Sequence, residues 1–539
     1  MANKFKALRI ALSFVVMVLI IGAFGFYNVF LKNSSDETLN SLHKLFLSIT
    51  RMQFTVTLAS LHSGMIYGLF GTLLILVLTL LFGRVYCAVM CPMGIFQDFV
   101  AFVRTKVLRR KKTVEAVQSS KLKFVRIVLF ILYSAFLVTG LTVSVSLLDP
   151  YAIFGRFLNV LNPNYYNYYA TGQVEYDASG AGVNIQSFDT SKLYAITVIT
   201  VVVMLLITIA SLISRRFFCH NICPVGTILG FFAKKPIFGL YIDSEKCRQC
   251  GKCTINCAGD NCLDIEHKKL DNSTCVMCMN CLDLCSFNAI KINSFKQQTK
   301  ENQRVTDIGE KYHDLSRRQF LSALSCGIVA GTTSSLLAKN NDKKRVEQLV
   351  EKDIMPVMPP GSMNLEEFKS KCIGCHKCVR ACPSNVLQVS TFNYGGFSNM
   401  FLPYLDFDAG MCNDFCFECI KACPTGALKI LREEQRKLWK IGKVEYMQNI
   451  CVVETNREAC GACGEHCPTG AIQMEDFGDG LTIPVVDDTY CIGCGSCQNI
   501  CPVLPMKAIL VTGVAEQKLI KAKPESEIEK VVHEEEFPF

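Results

Sequence analysis

The chain has 539 residues, of which 50% are hydrophobic and 19% charged, with 30 cysteines and a net charge of +9. That is too apolar for an ordinary soluble protein of this length, and the basic excess lies beside apolar segments, where it reads as membrane topology and not as a nucleic-acid surface. The cysteines fall in tight Cys-x-x-Cys runs, too crowded for all to pair as unstrained disulfides, so clustered thiolate ligands for iron–sulfur clusters or zinc replace the disulfide reading.

Residues 1–239 are expected to form a four-helix membrane domain. Four apolar segments, about 10–30, 64–83, 124–148 and 193–213, each approach the length needed to cross a bilayer. The first is too long for a cleaved signal peptide and lacks a cleavage site, so it reads as an anchor. Lys4, Lys6 and Arg9 precede it, the 84–123 loop is strongly basic, and Arg215, Arg216, Lys234 and Lys235 follow the fourth segment. Those regions therefore face the cytoplasm. The 149–192 loop faces out; its Tyr165, Tyr166, Tyr168 and Tyr169 read as an interfacial belt, with a quinone-head pocket as the lesser reading.

The sequence repeats within this half. Arg84-Val-Tyr-Cys87-Ala-Val-Met-Cys91-Pro92-Met-Gly94 matches Arg216-Phe-Phe-Cys219-His-Asn-Ile-Cys223-Pro224-Val-Gly226. Cys-x-x-x-Cys on a helix sets two sulfurs one turn apart. Two facing pairs give four thiolates, enough for one iron–sulfur cluster, or else two working dithiols. His220 is given no ligand role.

Residues 240–312 read as a cytoplasmic two-cluster ferredoxin domain. Cys247, Cys250, Cys253 and Cys257 are followed by Cys275, Cys278, Cys281 and Cys285 in the bacterial ferredoxin spacing. There the fourth cysteine of each run serves the other cluster. Cys285 then completes the first set and Cys257 the second. No proline follows Cys257 or Cys285, and Cys262 competes with Cys257 as the remote ligand.

Residues 286–316 read as a polar tether, and 313–338 as a twin-arginine signal-anchor: Ser316-Arg317-Arg318-Gln319-Phe320-Leu321 leads into an apolar run to Ala338. Such signals export domains already folded, which suits a domain built around metal. No cleavage site precedes Lys339, so a fifth span is expected, with Cys326 a buried spectator.

Residues 339–512 read as an exported four-cluster ferredoxin domain, and 513–539 as a loose charged tail. The first motif is Cys372, Cys375, Cys378, Cys382; the second is Cys412, Cys416, Cys419, Cys423. The third is Cys451, Cys460, Cys463, Cys467, and the fourth is Cys491, Cys494, Cys497, Cys501. These sixteen cysteines are the number four cubane clusters require. Fourth ligands could be exchanged between consecutive motifs, or first with fourth and second with third. Cys372-Ile-Gly-Cys375-His376 also fits the covalent haem signature, but Cys378 and Cys382 complete a cluster motif from the same residues. The fold class expected is an α-helical membrane unit of four spans plus a fifth signal-anchor span, joined to α+β ferredoxin-like iron–sulfur domains.

Residues 1 to about 300 resemble the membrane polyferredoxin of quinol-dehydrogenase modules that serve periplasmic nitrate reductase. Those from about 314 resemble the twin-arginine-exported four-cluster ferredoxin of the same modules, as if the two were fused. The resemblance implies a membrane-bound electron-transfer protein of the bacterial inner membrane, carrying six or seven 4Fe-4S clusters. It would pass electrons between the quinone pool, with a quinol as donor, and an exported reductase or cytochrome. The membrane part also resembles polyferredoxins of nitrous oxide reductase maturation and of copper reduction, so a redox assembly factor is the alternative. The sequence holds no nucleotide-binding motif and no bond-making active site of its own.

Overall fold

A computed structural model of the protein describes residues 2–25, 45–62, 66–106, 120–139, 146–161, 190–294 (except 256, 259–261 and 265–267), 355–390, 399–504 and 506–523. The twin-arginine motif, the expected fifth span with Cys326 and the tyrosines of 165–169 lie outside the described residues. The chain divides into two units, Met1–Val160 with Thr197–Leu336, and Leu161–Ile196 with Leu337–Phe539.

The first unit opens with helix α1 (Ala2–Gly25), then α2 (Phe54–His62), α3 (Ile66–Phe82), α4 (Val85–Val89) and α5 (Pro92–Lys106). There follow α6 (Ser120–Thr139), α7 (Pro150–Val160), α8 (Thr190–Ile213), α9 (Phe217–Asn221) and α10 (Pro224–Phe232). Their outer faces are apolar: Phe14, Leu69, Leu73, Leu205 and Leu206 are exposed, whereas Gln53, Thr57, Ser60 and Ser211 are buried. Several buried hydroxyls are satisfied by their own helices, as in Thr72 to Gly68 O at 2.8 Å and Ser211 to Ile207 O at 2.7 Å.

Two helical stretches are long and apolar enough to cross a membrane, Phe5–Phe24 and Ile196–Ile213; Gly68–Phe82 and Val125–Ala135 are shorter. Four full spans plus a fifth were expected. α3 stops at Gly83, whose φ of +75° turns the chain into the first cysteine motif. In α6, Lys121 and Lys123 in the first turn leave only the later part apolar.

The ferredoxin region of this unit is a β-strand pair enclosing two short helices. β1 (Phe238–Ile242) runs antiparallel to β4 (Ile290–Ser294), Leu240 facing Ile292. Between them come α11 (Lys252–Ile255), the small ladder of β2 (Leu263–Asp264) with β3 (Lys269–Leu270), and α12 (Asn280–Leu284). This region rests on the helices. Phe238 stacks on Phe82 at 5.8 Å, Ile237 N–H donates to Leu80 O at 2.9 Å, and Lys6 pairs with Asp283 at 2.8 Å.

The second unit packs three antiparallel pairs: β5 (Leu387–Val389) with β6 (Pro403–Leu405), β7 (Trp439–Tyr446) with β10 (Ile509–Leu519), and β8 (Ile472–Gly478) with β9 (Leu481–Val486). The cysteines themselves are part of its core, beside Leu365, Phe368, Phe407, Ile441 and Ile509. The tail expected to be loose from residue 513 is instead ordered at its start. β10 crosses that boundary because Leu519 pairs with Trp439, and Ile520 N–H donates to Leu438 O at 2.9 Å.

Candidate metal centres

Four cysteine loops share one backbone. In each, the second residue after the first cysteine and the residue after the second cysteine have positive φ. These are Gln249 and Gly251, Met277 and Met279, Gly374 and His376, and Gly493 and Gly495, all between +52° and +78°. Left-handed residues set into a turn point successive N–H groups inward and form an anion-binding nest, a feature of iron–sulfur sites. The geometry demands glycine where neighbours crowd: a Cβ on Gly495 would lie 1.9 Å from Phe407. The second and third motifs of 339–512, with their irregular spacing, lack this signature among the described residues.

In the second unit the fourth cysteine of a motif lies within electrostatic reach of the cysteines of the consecutive motif. The charge of Cys423 bears on Cys372 and Cys378, while that of Cys382 bears on Cys412, Cys416 and Cys419. Likewise Cys467 bears on Cys491, Cys494 and Cys497, and Cys501 on Cys463. Burial and this mutual repulsion push the bare thiols up, Cys463 and Cys491 to about 11 and Cys494 to about 12. A metal must therefore displace protons to bind here.

Several neighbours address the sulfurs. Arg436, 1% exposed, donates to Cys412 Sγ at 3.1 Å and to Asn413 O at 2.8 Å. The hydroxyl two residues after the fourth cysteine lies 3.6 Å from Cys382 (Ser384), 3.6 Å from Cys423 (Thr425) and 3.7 Å from Cys467 (Thr469). Cys501 has Val503 there and no such donor. His376 Nε2 lies 3.0 Å from Phe401 O and the ring is buried, which ties the loop to its neighbour.

In the ferredoxin region of the first unit, Cys257, Cys262, Cys275, Cys278 and Cys281 line one cavity with Leu240, Leu270 and Val276. Cys257 Sγ and Cys262 Sγ are 2.8 Å apart, so both candidates for the remote ligand reach the same place. Cys250 is exposed, and Cys247, Cys253 and Cys285 are half-buried, with Ala289 N–H donating to Cys285 Sγ at 3.3 Å. Among the described residues no three His, Cys, Asp or Glu side chains converge as for one ion.

The repeated membrane motif folds differently from a single helix turn. Cys87 and Cys219 sit in α4 and α9, and the chain breaks before Cys91 and Cys223, which precede Pro92 of α5 and Pro224 of α10. Cys223 Sγ accepts from Gly226 N–H at 3.4 Å, so the sulfur caps the helix. The two copies interlock. Arg84 donates to Cys219 O at 3.3 Å, and Arg216 donates to Cys87 O at 3.1 Å. The glycines are required by close approach: a Cβ on Gly94 would meet Cys87 O at 2.2 Å, and one on Gly226 would meet Cys219 O at 2.5 Å. Cys87, Cys91, Cys219 and Cys223 are all buried and within electrostatic reach of one another.

The arginines differ in company. Arg216 is bound to Asp98 at 2.6 Å, and Asp98 also holds Arg9 at 3.2 Å. Arg84, 0% exposed, has no carboxylate partner among the described residues; it donates to carbonyls and lies 4.0 Å from Cys87 Sγ. Both repeats touch the ferredoxin loop. Arg84 reaches Ser273 O at 3.2 Å, and His220 Nε2, given no role from sequence, lies 2.8 Å from Thr274 O. Arg216 acts on both Cys219 and Cys278. Arg436, the hydroxyls and His220 were invisible in the sequence, because nothing in a cysteine spacing announces what packs beside it.

Residues 65–113 and 196–240 match the family model of a 4Fe-4S binding domain, and 244–260 match another. Residues 371–427 and 456–504 match a 4Fe-4S dicluster domain. The methylamine utilization ferredoxin-type protein MauM of Methylobacillus flagellatus is 33% identical over 221 residues, 40% of this chain and 89% of that protein. The ferredoxin-type protein NapG of Escherichia coli is 30% identical over 164 residues, 28% of this chain and 68% of that protein. An uncharacterized protein of Methanocaldococcus jannaschii is 26% identical over 230 residues, 42% of this chain and 71% of its own length. No solved structure matches.

Proposed function

Because the chain belongs to the ferredoxin-type 4Fe-4S proteins, we propose that it is a membrane electron-transfer protein linking a quinol pool to an exported reductase, built as a fusion of a membrane polyferredoxin with an exported four-cluster ferredoxin. The observation that carries this reading is the abutment of the buried quartet Cys87, Cys91, Cys219 and Cys223 on the loop of Cys275 and Cys278, through Arg84–Ser273 and His220–Thr274. A redox centre at the lipid edge then hands electrons to a ferredoxin pair without crossing open solvent.

A 4Fe-4S cluster supplies reversible one-electron transfer once bound. In the first unit the membrane quartet would hold one. Cys247, Cys250, Cys253 and Cys285 would hold the second. Cys275, Cys278 and Cys281, with Cys257 or Cys262, would hold the third. In the second unit Cys372, Cys375, Cys378 and Cys423 would form one set, and Cys412, Cys416, Cys419 and Cys382 the next. Cys491, Cys494, Cys497 and Cys467 would form another, leaving Cys451, Cys460, Cys463 and Cys501. The exposure of Cys250 suits exchange with a soluble partner. The test is anaerobic: protein in lipid nanodiscs is mixed with a menaquinol analogue, and the cluster absorbance is followed. Bleaching is expected; no bleaching, with dithionite still reducing the clusters, removes the quinol role.

A further inference from the structure

The membrane unit buries a second group of polar side chains beside the sulfur quartet, and no cluster needs them as ligands. Asp149, expected from the sequence on the outer face, is 0% exposed and precedes α7, whose Phe154 packs on Phe96 of α5 at 6.3 Å on the side of the first cysteine motif, so the outward placement expected for residue 149 does not hold. Its Oδ2 accepts from Ala152 N–H at 2.8 Å, whereas Oδ1 is enclosed and has no hydrogen-bond partner. The Thr55 hydroxyl stands close enough to act on the carboxylate, yet its Oγ1 completes no hydrogen bond. Asp149 makes no direct ion pair among the described residues, although the charge of Arg156, which donates to Ser146 Oγ at 3.3 Å, bears on it.

Two buried phenols feel the charges of both this carboxylate and the cysteines. Tyr133, 1% exposed, lies within electrostatic reach of both Asp149 and Cys223, and its hydroxyl has no partner. Tyr86 lies within reach of Asp149, Cys87 and Cys91. Its hydroxyl accepts from Phe54 N–H and donates to Gln53 Oε1, each at 3.0 Å. A buried carboxylate oxygen and a buried phenol left unsatisfied are each unfavourable. Asp149 caps α7 through Oδ2 and its own carbonyl, which accepts Ile153 N–H at 3.0 Å, so only Oδ1 is left without a fold contact, and an ionisable oxygen left so inside a membrane domain points to a substrate or proton path.

We propose that Asp149, with Tyr133 beside it, is the proton-accepting end of a hydroquinone site whose electron-accepting end is the iron–sulfur centre at Cys87, Cys91, Cys219 and Cys223. This rests on the quinol reading above and names the residues of that site. A hydroquinone has two O–H groups, and its oxidation releases two protons and two electrons. Each O–H bond breaks with its proton passing to Asp149 Oδ1 and onward before the next. The two electrons, taken one at a time, would go to the centre that Cys87, Cys91, Cys219 and Cys223 would hold, so one hydroquinone would leave as one quinone. Tyr133 donates its hydroxyl hydrogen to the ring oxygen and holds it between carboxylate and sulfurs.

The full chain in nanodiscs, its clusters intact, is mixed anaerobically with a menaquinol analogue and cluster bleaching is timed. Asp149→Asn is expected to slow it roughly 10²-fold or more, the range for removing a general base. Asp149→Glu should restore part of the rate. Dithionite-reduced EPR spectra and iron content should match the parent, which a merely structural role would not predict. Tyr133→Phe removes one oxygen and should weaken binding of a non-reducing quinone analogue; it decides the matter alone if Asp149→Asn loses iron. Parent-like rates in both variants, while the parent itself is bleached by quinol, overturn the site. A parent that quinol does not bleach overturns the functional reading, and the site with it.

Discussion

Thr425 shows how a single oxygen can set a redox level. It lies 3.6 Å from Cys423 Sγ, and Arg436 lies 3.1 Å from Cys412 Sγ. Both donate toward sulfurs that become more negative on reduction, so both favour the reduced state and raise the potential. A neutral hydrogen bond is worth about 1 kcal/mol, which for one electron is on the order of 40 mV. A charged donor is worth roughly twice that. Thr425→Ala is therefore expected to lower the potential of the cluster that Cys423 serves, and Arg436→Gln to lower that of the Cys412 cluster by more. EPR-monitored redox titration reads both; unchanged midpoints would show that these contacts do not tune the centres.

At the scale of elements, the sequence was legible wherever spacing is itself the chemistry. Cys-x-x-Cys-x-x-Cys announced the nests, and the doubled Cys-x-x-x-Cys-Pro-x-Gly announced a paired site. What it concealed were choices made by distant partners. Cys91 and Cys223 cap new helices and do not continue old ones, because proline cannot extend the preceding turn. The route of the fourth ligands depends on which motifs pack together, and neither order is written in the spacing. The charged composition after residue 513 read as a tail, yet β10 holds the domain closed there. Gln517, 1% exposed, accepts from Trp439 Nε1 at 2.9 Å and Gly361 N–H at 3.0 Å, and donates to Met358 O and Pro359 O, each at 3.1 Å. Gln517→Ala strands those buried groups and should destabilise the second unit by about 3 kcal/mol. Trp439 is the one tryptophan in the chain, so its fluorescence during denaturant unfolding reports on this unit. A midpoint equal to the parent's would contradict the assignment.

For the whole molecule, the proposed exchange of the fourth cysteines would make metal loading collective. Cys382 would serve the neighbour of its own motif and Cys423 would return the exchange, so neither centre of a pair would be complete without the other's loop. Iron in the second unit should then be gained or lost by pairs of clusters. Mass spectrometry under native anaerobic conditions should show species differing by eight iron atoms, with few at four. A smooth ladder of single clusters would count against the exchange.

Arg84 has a consequence for how the protein comes into being. A guanidinium sealed from water, with carbonyls but no carboxylate beside it, is strongly unfavourable as long as the neighbouring thiols are neutral. An anionic cluster on Cys87, Cys91, Cys219 and Cys223 would cancel that charge where nothing else does. The membrane helices would thus reach their final packing only once iron and sulfide arrive. Starved of either, a cell would hold this half of the chain as an immature intermediate exposed to membrane proteases, well before any electron could be missed.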